Sequence, residues 1–254
     1  MEFPSMRIDG KIAVVMGASR NIGRAITLGL ANAGADVVVA SRTVPDLEAV
    51  AEEIRAMGRK ALVRQVDVTK AADIKAMADN AVAEFGRIDI LVNNAGININ
   101  KSCLDMTEED WDLVLDTNLK SYFLASQAAG RYMVEQKYGK IINISSTFGL
   151  VGFEKRIAYA SSKGGIVQLT KVLAIEWGPY NVRVNAIAPT ATRTTINEEL
   201  FANEDWRKWM LDRLPVKKFA VPVDMVGTAV FLASDASDMV TGITLPVDGG
   251  YTAW

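Results

Sequence analysis

Tyr159 and Lys163 are the two residues of this chain whose types and spacing could do chemistry together. On a helix, residues four positions apart lie on one face, about one turn from each other. A tyrosine with a pKa near ~10 is a poor base at neutral pH, and a nearby ammonium stabilises the phenolate and lowers that pKa. Ser146, thirteen positions before the tyrosine, adds a hydroxyl. The set predicts proton transfer beside a hydride carrier, although an exposed Tyr/Lys pair on a helix surface is the alternative that the pair alone leaves open.

The composition leaves few other groups for acid/base chemistry. The chain has 254 residues, half of them apolar, with no histidine and a single cysteine, Cys103. A His-based triad, a His-ligated metal site and an internal disulfide are therefore excluded, and we expect no metal. Proton transfer near pH 7 must come from a perturbed Tyr, Lys, Asp, Glu or Cys.

Charge and hydropathy restrict the partners. The formal net charge is −2 and the basic residues are scattered, so we expect no nucleic-acid partner. No apolar run approaches the ~20 residues of a membrane helix, and the first residues, MEFPSMRIDGK, lack the apolar region of a secretory signal. We therefore expect no membrane association and a cytoplasmic location.

Apolar, β-branched runs alternate with segments of helical length and periodicity. This alternation predicts βαβ units, hence one α/β domain over 1–254 with a doubly wound parallel sheet of about seven strands and helices on both faces. The runs predict buried parallel strands at Ile12 to Val15, Val37 to Ala40, Ala61 to Val66, Ile88 to Val92, Ile141 to Ile144, Val182 to Ile187 and Ile243 to Val247.

The segment Thr195 to Leu214 interrupts this alternation between the last two strand candidates. It is rich in charge and tryptophan, and Trp206, Trp209, Met210 and Leu214 form an apolar stripe. Packing of an inserted helix pair explains the stripe, and a substrate lid is the functional interpretation. We predict a helical substrate-lid insertion near 190–215.

A glycine turn follows the first strand and precedes a helical pattern. Such a turn lets phosphate oxygens approach backbone N–H groups at the positive end of the helix. The spacing is not G-x-G-x-x-G, so an ordinary βα turn stays open, but its position at the first strand favours a nucleotide site. The candidate binding residues of this turn are Gly17, Ser19, Arg20, Asn21, Ile22 and Gly23.

The end of the second strand predicts which nucleotide binds. A carboxylate there would accept the ribose 2′-OH of NAD, whereas arginine suits the extra phosphate of NADP. The strand ends in Ser41 and Arg42, and Arg20 lies in the glycine turn. We predict that NADP(H) is preferred over NAD(H), the alternative being that both arginines are solvated surface charges.

Two further motifs complete a family pattern: Asn93-Asn-Ala-Gly96 after the fourth strand and Val247-Asp-Gly-Gly250 near the end. Together with the glycine turn and the ordered Ser146, Tyr159 and Lys163, the chain resembles the short-chain dehydrogenase/reductase family over essentially its whole length. The resemblance implies a Rossmann-like fold. It is strongest to gluconate 5-dehydrogenase-like and 3-oxoacyl-carrier-protein reductase-like members.

The resemblance also implies roles for single residues. Asn118, Ser146, Tyr159 and Lys163 would form a catalytic tetrad in which the tyrosine gives a proton to a ketone oxygen and the serine orients that oxygen. Lys163 would hold the nicotinamide ribose, and Asn118 would anchor a water that relays protons. Ser145 competes with Ser146, and family spacing favours Ser146.

The same resemblance implies further cofactor contacts. Asp67 and Val68 would contact the adenine, and Asn94, Ala95 and Gly96 would shape the site, as would the segment after the sixth strand. Asn21 and Met16 replace the usual glycine and threonine of the turn, and asparagine tolerates positive φ. The implied contacts after the sixth strand are Pro189, Thr190, Thr192 and Thr194, with Thr190 a departure from the family pattern that narrows the pocket.

The substrate is predicted only as a class. The segments after the fourth, fifth and sixth strands are polar, and their lysines and arginines, Arg156 among them, could bind a carboxylate, the alternative for each being a solvated loop charge. A small-molecule ketone or alcohol such as a sugar acid or polyol is favoured, a 3-oxoacyl-carrier-protein reductase or broad carbonyl reductase is the alternative, and a catalytically silent NADP sensor is the alternative from another class.

A homotetramer is the expected assembly. Small residues lie along the predicted helices Trp111 to Val134 and Ala158 to Trp177. In the family that the chain resembles, these helices build one subunit interface and the C-terminal strand builds a second. A closed symmetric oligomer is also the general default.

Overall fold

A parallel β-sheet forms the centre of the protein. The computed structural model describes residues 3–194 and 197–253. Within these ranges the seven strands lie in the order β3-β2-β1-β4-β5-β6-β7, all parallel. The predicted single α/β domain with a Rossmann-like, doubly wound sheet is confirmed. The strands are β1 (Ile12–Met16), β2 (Asp36–Ser41), β3 (Ala61–Gln65), β4 (Ile90–Asn93), β5 (Gly139–Ile144), β6 (Val182–Pro189) and β7 (Thr244–Val247).

Burial differs between central and edge strands. Strands β1, β4 and β5 are buried at every residue, as expected for strands covered on both faces. The expectation of buried strands throughout is wrong for β3 and β7, whose residues are mostly half-buried. Each of them has a single neighbouring strand, so one flank of each borders solvent.

Helices cover both faces of the sheet, as predicted. On one face, Ile26, Leu47 and Leu232 of three helices pack on Val15 and Val37. On the other, Met77, Ala129 and Leu173 pack on the opposite side chains of the same strands. The helices are α1 (Asn21–Ala33), α2 (Val44–Ala56), α3 (Ala71–Phe85), α4 (Glu108–Leu115), α5 (Ser121–Gln136), α6 (Ile157–Trp177), α7 (Glu198–Ala202), α8 (Glu204–Arg213) and α9 (Val226–Ala233).

The helix predicted over Trp111 to Val134 is present and contains a π-helical turn. Helices α4 and α5 are joined by a π-helical turn, Asp116–Lys120. A π-turn inserts one extra residue into the helical ladder and often occurs at functional sites. A sequence period near 3.6 predicts the helix but does not reveal this turn within it.

The predicted insertion after β6 carries the two short helices α7 and α8, which precede α9. Thr195, where the predicted insertion begins, lies outside the described residues. Met210 and Leu214 are buried, and Trp206 stacks on Phe219 with ring centroids 5.8 Å apart. In residues 3–194 and 197–253, the helices are all too short or too polar to span a membrane.

Candidate active site

Helix α6 brings Tyr159 and Lys163 against the end of β5. Lys163 is only 3% exposed. Its Nζ donates a hydrogen bond of 2.7 Å to the carbonyl oxygen of Ile144, the last residue of β5. The same nitrogen lies 5.6 Å from the centroid of the Tyr159 ring and 5.3 Å from that of Tyr122. The pair therefore faces the protein interior, which removes the exposed-surface alternative.

Burial dominates the electrostatics of this pair. It lowers the pKa of Lys163 to about 7, because an ammonium loses its hydration inside the protein. It raises the pKa of Tyr159, and a hydrogen bond with Ser146 and the charge of Arg156 offset only part of that rise. The expectation that Lys163 lowers the pKa of Tyr159 does not describe the structure, since desolvation disfavours both charged forms.

The two serines after β5 point to different partners. The Ser146 hydroxyl lies beside the Tyr159 phenol and lowers its pKa, and its Oγ accepts a 3.2 Å bond from the backbone N–H of Phe148. Ser145 donates from its Oγ to the backbone oxygen of Lys163 at 3.0 Å. Ser146 is thus the serine beside the phenol, and Ser145 fixes helix α6 to the end of β5.

Asn118 lies in the π-turn and is fully buried. Its Oδ1 accepts from the N–H of Ile97 at 2.8 Å, and its Nδ2 donates to the Ile97 oxygen at 2.9 Å and to Ser162 Oγ at 3.0 Å. Ser162 Oγ in turn donates to the backbone oxygen of Tyr159 at 2.7 Å. These bonds tie the π-turn to the loop after β4 and to the helical turn that carries the tyrosine.

Sequence reasoning missed two residues of this site. Ser162 and Ser161 both suggested helix packing, but Ser161 is exposed and Ser162 connects Asn118 to Tyr159. Tyr122, whose hydroxyl donates to the Ile144 oxygen at 3.2 Å, lies beside Lys163 and carried no motif. For Ser162, the one sequence signal was its position between Tyr159 and Lys163. For Tyr122 there was none.

The glycine turn packs against the residues that follow β4. Gly17 has φ +80°, and its carbonyl oxygen accepts a 2.9 Å bond from Asn94 Nδ2. A Cβ added at Gly23 would lie 2.0 Å from that oxygen and 2.4 Å from Asn94 Nδ2. Asn21, the first residue of α1, has φ 52°, in the region that asparagine tolerates. The remaining candidates of these two segments lie beside them: Ser19, Ile22 and Ala95 are half-buried, and Arg20 and Gly96 are exposed.

A cavity of about 520 Å³ opens where β2 and β3 end. Arg42 and Asp67 line it, whereas Ser41 Oγ accepts from the N–H of Thr43 at 3.3 Å. Hydrogen bonds from Thr69 hold the pKa of Asp67 below its usual value, and the charges of Lys70 and Arg42 lower it further. Val68 is half-buried and packs against the core under α3.

Arg64 is a cavity residue that sequence reasoning missed. It lies on β3 and lines the cavity with Arg42. Among the residues that the structure describes, none offers a hydrogen-bond partner to its buried Nε. The run Ala61 to Val66 predicts a strand, and a strand pattern does not indicate that the arginine within it is functional.

The segment after β6 is held by the side chain of Asn197. Thr194 donates to Asn197 Oδ1 from its N–H at 2.9 Å and from its hydroxyl at 3.0 Å, and Asn197 Nδ2 donates to the Thr192 oxygen at 2.9 Å. Thr192 is buried and donates from its hydroxyl to the Thr190 oxygen at 3.0 Å. Pro189 is buried at the end of β6, and Thr190 is half-buried.

Aromatic rings connect α8 to the loop after β5. Phe148, two residues beyond Ser146, stacks on Phe153 with centroids 4.7 Å apart. Phe153 meets Trp209 of α8 at 5.9 Å, and Tyr251 meets Phe148 edge-on at 6.5 Å. The insertion and the C-terminal residues therefore share one aromatic cluster beside the tyrosine-bearing helix.

Comparisons with known proteins agree with this geometry. A family model described as enoyl-(acyl carrier protein) reductase matches residues 17–252. The 2-dehydro-3-deoxy-D-gluconate 5-dehydrogenase of Escherichia coli K12 is 42% identical over 254 residues, with 100% of both chains covered. The 3-oxoacyl-acyl-carrier-protein reductase FabG of Thermotoga maritima is 38% identical, covering 96% of this chain and 99% of that one.

Solved structures give the same answer. The crystal structure of a gluconate 5-dehydrogenase from Burkholderia cenocepacia J2315 in complex with NADP and tartrate matches with a TM-score of 0.95 at 36% identity, covering 98% of each chain. Fold, site and relatives together define an oxidoreductase that acts on CH–OH groups with a nicotinamide cofactor. The chain belongs to the short-chain dehydrogenase/reductase family.

Proposed function

We propose that this protein interconverts a ketone and a secondary alcohol of a sugar acid, with NADP(H) as the hydride carrier and Tyr159 as the acid/base. The observation that carries the proposal is the buried Lys163 Nζ, 5.6 Å from the centroid of the Tyr159 ring, with Ser146 on the phenol side of that ring. These groups lie where β5 ends, at the sheet edge that also carries the glycine turn. In doubly wound sheets, ligands bind at this edge.

The proton chemistry follows from the contacts of Tyr159. When bound, the nicotinamide supplies a hydride to the carbonyl carbon, and negative charge grows on the carbonyl oxygen. Tyr159 gives its proton to that oxygen, and its raised pKa keeps the phenol protonated until then. Ser146 donates to the same oxygen and fixes its orientation. In the reverse direction the Tyr159 phenolate, formed when Tyr159 gives up its own proton, removes the proton of the alcohol while Ser146 orients the alcohol oxygen.

Lys163 and Asn118 return the proton to Tyr159 in this proposal. With a pKa of about 7, Lys163 exchanges a proton near neutral pH. Asn118 holds the turn beside it and anchors the relay water. A Cβ added at Gly96 would lie 3.2 Å from Asn118 Oδ1 and 3.7 Å from Lys163 Nζ, so a glycine keeps this approach open.

The residues around the glycine turn fit NADP(H). Helix α1 starts directly after the turn, so its first N–H groups can receive the phosphates. Strand β2 ends in Ser41 and the exposed Arg42, with no carboxylate at that position, and Arg64 shares the cavity with Arg42. Two guanidinium groups favour the 2′-phosphate that distinguishes NADP from NAD.

The substrate class is supported by the relatives and by charge. The relative from Escherichia coli is named for 2-dehydro-3-deoxy-D-gluconate, and the structure from Burkholderia cenocepacia contains tartrate. Both compounds are hydroxylated carboxylic acids. Helix α8 would act as a lid over such a substrate, since Trp209 contacts Phe153 next to the tyrosine-bearing helix.

We also propose that the protein works as a homotetramer. Leu113, Phe123, Val172 and Ile175 are exposed apolar residues on α4, α5 and α6, the helices expected at one interface. Met239 and Ile243, next to β7, are exposed at the second. Exposed apolar residues that form one contiguous patch mark an interaction site, and these residues are the candidates for such a patch.

The decisive experiment is the substitution Tyr159→Phe. The phenylalanine keeps the ring but has no proton to give, so we expect kcat for 5-keto-D-gluconate to fall at least about 10³-fold. NADPH binding, followed by its fluorescence, should change less than about twofold. A Phe variant with wild-type turnover would refute the assignment.

The same assay tests cofactor and substrate class. We expect a higher kcat/KM with NADPH than with NADH, and a reversed ratio would refute the cofactor preference. A 3-oxoacyl reductase would instead favour acyl-pantetheine substrates over keto sugar acids. Tight NADPH binding without turnover of any carbonyl compound would identify a silent sensor.

A further inference from the structure

Arg156 lies three residues before Tyr159 and immediately before helix α6. Its guanidinium donates from Nη1 to Asn100 Oδ1 and lies 6.0 Å from the centroid of the Phe153 ring. Its backbone pairs with Lys101 in an isolated parallel β-bridge. Arg156 is therefore half-buried and fixed between the loop after β4 and the helix that carries Tyr159.

The charge of Arg156 acts on the phenol and is not neutralised by a protein carboxylate. Its field lowers the pKa of Tyr159, while burial lowers the pKa of the guanidinium itself. Within residues 3–194 and 197–253, its guanidinium has no Asp or Glu oxygen within 4.0 Å. Partial burial of a cation without a counter-charge is costly, so an anion that arrives with a ligand would be stabilised there.

The neighbouring cation on the same β-bridge is already neutralised. Lys101 forms an ion pair with Asp110 of α4. The guanidinium of Arg156 has five N–H donors, and Asn100 accepts from one of them. The other donors can bind a ligand. A planar fork of this kind binds a carboxylate with two parallel hydrogen bonds.

We propose that Arg156 binds the carboxylate of the substrate and thereby selects keto and hydroxy acids over uncharged sugars. The inference rests on the proposed function, because it uses the ketone site at Tyr159. Asn100 orients the guanidinium, and Phe153 covers one side of it. The carboxylate enters the site as the missing counter-charge of Arg156.

A matched pair of ketones tests this role. 5-Keto-D-gluconate has a carboxylate where L-sorbose has a hydroxymethyl group, and the two compounds are otherwise the same. For Arg156→Gln we expect kcat/KM for 5-keto-D-gluconate to fall about 10- to 100-fold, mostly through KM, because a hydrogen-bonded charge pair is lost. The value for L-sorbose should stay within about twofold, and Arg156→Lys should restore part of the activity on the acid.

Two further measurements separate this role from a purely structural one. Lys171→Gln removes a positive charge from the exposed side of the same helix, and we expect it to leave both KM values unchanged. Calorimetric binding of 5-keto-D-gluconate to the NADPH complex of Tyr159→Phe, with and without Arg156→Gln, reports the carboxylate contact without turnover. We expect the second substitution to weaken that binding about 10- to 100-fold.

The outcomes are distinguishable from failure of the proposed function. An equal loss on both ketones would mean that Arg156 only fixes the loop, and unchanged binding of the acid would exclude the carboxylate contact. Either result overturns the inference even if Tyr159 is catalytic. If Tyr159→Phe remains active, the proposed function fails, and the kinetic comparison of 5-keto-D-gluconate with L-sorbose for Arg156→Gln still decides the role of Arg156.

Discussion

At the residue scale, the most informative group is the buried Lys163. Its Nζ has a backbone oxygen and two aromatic rings as neighbours, and its pKa falls from 10.5 to about 7. A lysine with that pKa is present in both protonation states near pH 7. The same burial that disfavours its charge makes it a proton-exchanging group, which an exposed lysine is not.

This pKa predicts how stability depends on pH. Between pH 7 and about 10 the unfolded chain holds a proton on Lys163 that the folded protein lacks, so the free energy of unfolding rises with pH. The expected slope from this residue is roughly 1.4 kcal/mol per pH unit. The raised pKa of Tyr159 acts only above pH 10, outside this window.

Urea denaturation of the cofactor-free protein at pH 7, 8 and 9 measures the effect. Lys163→Met keeps the length of the side chain but has no proton to exchange. Its stability relative to the wild type should be highest at pH 7 and should fall as the pH rises. Parallel pH profiles of the two proteins would contradict the assignment.

At the element scale, the turn between β1 and α1 is bound to the end of β4. The Gly17 oxygen and the Asn94 amide occupy the space where a Cβ of residue 23 would lie. The turn therefore requires glycine for close packing of two backbone segments, in addition to any approach by a phosphate. This double constraint is a reason for the unusual spacing of its glycines.

The prediction at this scale compares two glycine substitutions. Gly23→Ala should destabilise the fold by about 1–3 kcal/mol, because a backbone oxygen at 2.0 Å cannot move without shifting β1. It should also weaken NADPH binding. Gly227→Ala, inside helix α9 with no atom within 4 Å of the added Cβ, should be neutral or stabilise by up to ~1 kcal/mol.

Chemical denaturation and NADPH titration of the two variants check this prediction. Gly227→Ala controls for the general effect of replacing a glycine. If Gly23→Ala unfolds at the same urea concentration as the wild type and binds NADPH normally, the turn has room for a Cβ and the prediction is wrong.

At the scale of the whole molecule, the outer faces of α4, α5 and α6 carry exposed apolar side chains. Ile175 is 77% exposed and lies one helical turn from Val172. Helix α6 thus has Tyr159 and Lys163 near its start and an apolar outer face near its end. A subunit that packs on that face would also fix the helix that positions the catalytic pair.

Ile175→Glu tests the proposed tetramer. A carboxylate in an apolar interface costs several kcal/mol, so the variant should give dimers or monomers by light scattering where the wild type gives a tetramer. Glu52→Gln, a polar change on the exposed surface of α2 and away from both proposed interfaces, should leave the mass unchanged. A wild-type monomer at micromolar concentration would contradict the assembly.

The order of the elements, the seven strands and the spacing of Ser146, Tyr159 and Lys163 were predictable from the sequence. These depend on local periodicity and on short spacings, which each segment carries alone. The positive φ of Asn21 was likewise readable, because it reflects the tolerance of one residue type.

The electrostatics of the site were not predictable in this way, because they depend on how distant segments pack. The pKa of Tyr159 rises and that of Lys163 falls because β5, α5 and α6 exclude water from them together, which no spacing encodes. The π-turn at Asn118, its link through Ser162 and the unneutralised charge of Arg156 likewise depend on residues far apart in the chain. Long-range packing sets solvation, and solvation sets which of these groups can hold a proton or a charge.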